Sequence, residues 1–223
     1  MTKHAANLLL LLSIPVVGCG GVRFEHDPIS YSSPAAARWV SPLEKPPFAT
    51  AQKNPLRANA VAFAEKRAHS ETSVLDFGCR DIADLFAALG KRVDWDASQP
   101  LSNLIRAAER RGAYDARRMP RPGDIVLFHN QTDRNGNHIA DDWLTGCGIV
   151  LSREADTFRA LTRTEHGPRI ATVTPKIPSV RTRDGRILNS YVRVPGPNDP
   201  PNAEYLSGQL FAGAIDIVKL LNR

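Results

Sequence analysis

An α+β domain, with helices leading and an antiparallel sheet following, is predicted by two features of the chain. Apolar residues recur at helical spacing up to about Arg111. From Asp124 onward they run in short blocks separated by turn residues. Such an order places helices against a strand meander rather than between parallel strands.

The elements follow in turn. Leu56 to Arg67 is Ala-rich, with Leu56, Ala60, Phe63 and Ala64 at a helical spacing. Ile82, Leu85, Phe86 and Leu89 form one apolar helical face, and Gly90 supplies a stop. Leu101 to Arg111 is a third helix, closed by Gly112. After the turn Pro120-Arg121-Pro122-Gly123, Asp124 to Phe128 reads as a buried strand. Gly148 to Ser152 and Thr157 to Thr164 are two more. Ile170 to Val173 and Ser190 to Val194 are weaker strands, and Leu210 to Leu221 reads as a closing helix.

Ahead of this domain, Lys3 supplies positive charge and Leu8 to Val17 form an apolar run too short to span a bilayer. The run closes on Val16-Val17-Gly18-Cys19, which resembles the bacterial lipobox, in which the Cys thiol is acylated and becomes the new first residue. The resemblance implies a signal peptide over 1–18 and lipid on Cys19 as a membrane anchor. Each buried methylene then adds about 0.8 kcal/mol to membrane binding. An ordinary signal peptide with a chance Cys is the alternative. Gly20, rather than Asp, follows the Cys, which by resemblance to sorted lipoproteins implies the outer membrane, facing the periplasm. Residues 19–55 carry Pro28, Pro34, Pro42, Pro46, Pro47 and Pro55 and read as a tether, leaving 56–223 as the domain.

The chain carries a net charge of +6, with Arg106, Arg110, Arg111, Arg117, Arg118 and Arg121 as a local concentration. Either a face for an anionic polymer or a solvated surface fits this pattern. No nucleic-acid module motif accompanies it, so no nucleic-acid partner is expected.

Three pieces in order resemble the papain-like cell-wall peptidases of the NlpC and CHAP type. They are Asp76-Phe77-Gly78-Cys79 ahead of the Ile82 helix, Arg121 to Phe128 with its Pro-Gly-Asp turn, and Leu144 to Val150. The segments Asp133 to Asn137, Asp184 to Asn189 and Pro200 to Phe211 resemble a bacterial branch of that family, and the likeness extends from about Ala58 to Leu220. It implies a papain-like fold, N-terminal helices packed on an antiparallel sheet. It also implies peptidoglycan amide bonds as ancestral substrate, cut by a Cys thiolate at a helix N-terminus with a His base and a second polar residue orienting it.

This sequence departs from that pattern. Cys79 is the candidate nucleophile, about two residues late when counted from Asp76 but within one when counted back from Ala87 to Gly90. Gly146 stands where the family strand places the base, and Thr162 where the orienting residue falls. A thiol without a base forgoes about 10²–10⁴-fold in rate. The implied function is therefore an envelope lipoprotein that binds cell wall or a partner protein with a degraded centre and no required cofactor. The alternative is an active cysteine amidase or endopeptidase with a relocated base, for which His129, His138 and His166 are the candidates.

Cys79 and Cys147 lie 68 residues apart. A disulfide between them would close a loop worth about 4 kcal/mol in the chain-entropy model. Strand alternation opposes it by turning Cys147 away from the face of residue 146, leaving two separately buried thiols as the alternative. Finally, Asp133, Asn135, Asn137 and Asp141 fall at relative positions 1, 3, 5 and 9, a spacing that resembles extracellular calcium loops. A loop stabilised by its own Asn and Asp side chains is the competing reading.

Overall fold

The computed structural model describes residues 53–68, 79–91 and 100–222, apart from 134, 138, 140, 165, 166, 194 and 196–198; of these, the side chains of 79–81, 100, 167 and 168 are left undescribed. The segment read as a signal peptide, Cys19 and nearly all of the segment read as a tether lie outside the described residues, as do His138 and His166.

Three helices come first: α1 (Pro55–Ala68), α2 (Cys79–Ala88) and α3 (Pro100–Arg110). Asn54 opens α1 by accepting the backbone N–H groups of Leu56 and Arg57 on its side-chain oxygen, at 3.0 and 3.3 Å. Gly90 and Gly112 close α2 and α3 at φ +65° and +59°, the left-handed stop expected of glycine. Ile82, Leu85, Phe86 and Leu89 are all buried, as their spacing predicts. In α1 the buried face is Arg57, Ala60, Val61 and Ala64, rotated from the predicted Leu56 and Phe63, which are only partly buried. Small side chains let α1 approach the sheet closely, and Arg57 is drawn inward by carboxylates described below.

The strands are β1 (Tyr114–Asp115), β2 (Ile125–Phe128), β3 (Gly146–Glu154), β4 (Thr157–Thr164) and β5 (Gly167–Val173). A short hairpin of β6 (Thr182–Arg183) and β7 (Arg186–Ile187) follows, then the turn of helix α4 (Ser207–Leu210), β8 (Phe211–Ile215) and α5 (Ile217–Leu221). The main sheet has the order β1-β8-β2-β3-β4-β5. All its pairings are antiparallel. The domain is therefore α+β.

Two expectations fail here. The stretch read as one closing helix is strand β8 followed by the single helical turn and a half of α5, separated by Asp216. Phe211 to Ile215 is a short, nearly fully buried apolar run inserted between β1 and β2, and such a run cannot be told from a buried helix by periodicity. Asp216 then starts α5 by accepting the N–H groups of Val218 and Lys219. The predicted strand at Ser190 to Val194 reduces to one bridge, Tyr191 to Leu206.

The sheet divides two apolar clusters. Ile125, Leu127, Cys147, Ile149, Leu151 and Leu161 join the buried side chains of α1, α2 and α3. Val126, Phe128, Val150, Phe158, Ala160, Ala171 and Val173 form the other cluster with Val192 and Leu210. The segment that covers this second face is fixed by Asn189, fully buried. Its amide nitrogen donates to the carbonyls of Ile177 and Val180 at 2.9 and 2.8 Å, and its oxygen accepts from Thr174 N–H at 2.8 Å.

Candidate functional site

The Pro-Gly-Asp turn supplies a structural node. Asp124 is wholly buried and accepts from Arg57 Nη1, from Arg118 Nη1 at 2.9 Å, and from the backbone N–H of Arg121 at 2.8 Å. Arg57 Nη2 reaches Asp216 at 2.9 Å, and Arg118 Nη1 lies 3.6 Å from the same carboxylate. Two carboxylates and two guanidiniums thus tie α1, the turn before β2 and the start of α5. Burial alone would raise the Asp216 carboxyl. The N–H of Lys219, the charges of Arg57 and Arg118 and the N–H of Val218 outweigh it and hold the pKa below the usual value. Arg118 therefore leaves the basic surface group, whereas Arg106, Arg110, Arg111, Arg117 and Arg121 are exposed.

Strand alternation decides where the sequence-derived site residues go. Cys147 pairs with Leu127 and, like Ile149, belongs to the cluster that contains Ile82, Leu85 and Phe86 of α2. Gly146 and Gly148 pair with Phe128 and Val126, whose side chains belong to the cluster away from the helices. Thr162 is opposite Gly148 and on that same face. The resemblance would bring positions 146 and 162 to the nucleophile. Here they face away from the layer that holds α2, because successive side chains of a strand point to opposite faces. Cys79 is the first residue of α2. Its side chain is outside the described ones, and so is the question of a bridge to Cys147.

The place left by Gly146 is filled. A Cβ on Gly146 would stand 2.0 Å from Gln131 Oε1, with the Gln131 side-chain carbons close behind at 2.6 and 2.7 Å. Gln131 is buried, and its Nε2 donates to Thr162 Oγ1 at 3.2 Å and to the carbonyl of Arg163 at 2.6 Å. The Thr162 hydroxyl in turn donates to the carbonyl of Cys147 at 2.7 Å. A carboxamide and a hydroxyl, both engaged, offer no group that takes up a proton near neutral pH. Nothing in the sequence singles out Gln131, which lies in a loop and meets positions 146 and 162 only in three dimensions.

His129 is the one relocated base candidate among the described residues. It follows β2, and burial pushes its imidazole pKa down. Its Nδ1 accepts the backbone N–H of Leu144 at 3.2 Å. In that role the neutral ring carries its proton on Nε2, so the second nitrogen is a donor rather than a base. The ring stands edge-on to Trp143, with centroids 4.4 Å apart and an interplanar angle of 71°.

The loop over residues 133–141 is knitted by its own side chains. Asp133 accepts from Gly136 N–H at 2.7 Å, Asn135 from Asn137 N–H at 2.9 Å, and Asn137 from Ile139 N–H at 2.8 Å. The amide nitrogens of Asn135 and Asn137 both donate to Asp141, at 3.3 and 3.1 Å. The loop thus gathers Asn135 and Asn137 about Asp141 and turns amide N–H groups, not oxygens, toward that carboxylate. Among the described residues no group of three or more His, Cys, Asp or Glu side chains is arranged to hold a metal.

Compared with family models, with curated proteins and with solved structures, the chain matches none.

Proposed function

We propose that the chain is an outer-membrane lipoprotein, anchored through Cys19, whose NlpC/CHAP-like domain binds peptidoglycan without cleaving it. The observation that carries this reading is the Gln131 carboxamide, which occupies the volume a side chain at 146 would need and hydrogen-bonds Thr162. Positions 146 and 162 carry no proton-transfer group and face away from the layer that holds α2, which supports binding over cleavage. Full-length lipoprotein in detergent should sediment with purified sacculi, and protein that stays in the supernatant would refute the reading.

One observation favours the active-enzyme alternative. Cys79 begins α2, where the positive end of the helix dipole favours a thiolate. That alternative requires an imidazole to reach the thiol, and it is distinguished by Cys79-dependent cleavage of muropeptides.

We also propose that the 133–141 loop takes Ca²⁺. Asp133, Asn135, Asn137 and Asp141 would turn oxygens to an ion that wants about six to eight of them, with the remainder from water and backbone. Two carboxamides in place of carboxylates lower the charge and place the affinity in the roughly millimolar range of extracellular modules. In millimolar CaCl₂ the melting temperature should rise, and Asp141→Ala should abolish the rise. No response to calcium in the parent would refute the site and leave the loop held by its own Asn and Asp hydrogen bonds.

A further inference from the structure

Trp143 is 76% exposed and Ile139 is 52% exposed, the large hydrophobic side chains left in solvent among the described residues. An indole is costly to leave in water, and this one is held there. The N–H of Leu144, the next residue, is bound to His129 Nδ1, and the carbonyl of Asp142, the residue before, accepts from Asn130 N–H at 2.8 Å. Leu144 itself sits at φ +51°, a left-handed conformation that a leucine adopts only where its surroundings impose it. Thr145 Oγ1 accepts from Thr132 N–H at 3.2 Å, closing the same end of the β2–β3 pair. The His129 ring braces the indole edge-on.

We infer that Trp143, braced by His129, is a stacking platform for a saccharide ring, the point at which the domain grips the glycan strand. This rests on the wall-binding reading and adds to it the part of the polymer recognised and the residue responsible. Sugar rings present a flat array of C–H bonds to an aromatic face, and their hydroxyl pairs suit carboxylates and carboxamides. The loop that leads into Trp143 carries such groups, Asn135, Asn137 and Asp141, exposed and hydrogen-bonded to one another, so that sugar hydroxyls would exchange with those bonds. The platform adjoins the altered centre, since His129 follows Phe128, the pairing partner of Gly146. A rigid aromatic loses little freedom on binding, which favours affinity from a small contact.

The test uses full-length lipoprotein in detergent, purified sacculi, an N-acetylglucosamine tetramer and a sugar-free stem peptide. Trp143→Ala should weaken sacculus binding about tenfold, Trp143→Phe should recover part of it, and both should melt near the parent because the indole is exposed. The tetramer should compete with sacculi for the parent, and the stem peptide should not. Undiminished binding by Trp143→Ala, or competition by the stem peptide alone, would overturn the platform and leave the wall-binding reading standing. Failure of the parent itself to bind sacculi would overturn both.

Discussion

Replacing Asp124 by Ala should cost about 3–5 kcal/mol, because it strands the Arg57 guanidinium in the interior and frees Arg118 and the Arg121 amide at once. For a domain of this size that corresponds to a melting temperature roughly 10–15 °C lower, a large part of the total stability. Acid should act on the same node through Asp216. Its folded pKa lies below the ordinary value, so its contribution is complete above about pH 4 and is lost as pH falls through the folded value. Asp216→Asn should therefore flatten the acid limb of the stability profile. Thermal melts over pH 2 to 7, taken on roughly unit steps, check both statements. An Asp124→Ala protein that melts with the parent would show that the node is dispensable.

Placing a histidine at 146, where the NlpC/CHAP resemblance expects a base, should damage the protein before it does anything else. Gly146→His drives a Cβ into the Gln131 side chain and breaks its bonds to Thr162 and Arg163. The expected loss is about 2–3 kcal/mol, from overpacking and from buried polar groups left unpaired. Adding Gln131→Ala to Gly146→His should restore more than half of it, since the two side chains compete for one volume; equilibrium denaturation of the parent, both single variants and the pair measures the coupling. Even when folded, the pair should remain without thiol-dependent cleavage. Residue 146 faces the cluster opposite the one that holds α2. Additive losses in place of rescue would contradict the shared-volume account.

Much of the architecture was legible where one side of an element is apolar. The Ile82, Leu85, Phe86 and Leu89 stripe carries a helical period, and the apolar blocks at β2 and β3, though buried on both faces, are short and bounded by turn residues. What escaped depends on partners distant in sequence. Arg57 reads as a surface residue of an Ala-rich helix until Asp124 and Asp216, far along the chain, are brought to it. Strand β8 has no alternation to report because nearly all of it is buried. Gln131 belongs to no motif, yet it explains why position 146 carries no side chain. The alternation that turns Cys147 from the face of Gly146 was readable, but which face the helices cover was not.

Proton transfer to and from the Cys79 thiol separates a binding protein from a hydrolase. The purified full-length protein and a Cys79→Ala variant, incubated side by side with muropeptides and followed by chromatography of the products, measure it most directly. Identical, unaltered muropeptide profiles from the two proteins are the predicted result. Cleavage by the parent that disappears in Cys79→Ala would mean that a base reaches the thiol after all, and would contradict the proposal of a binding protein.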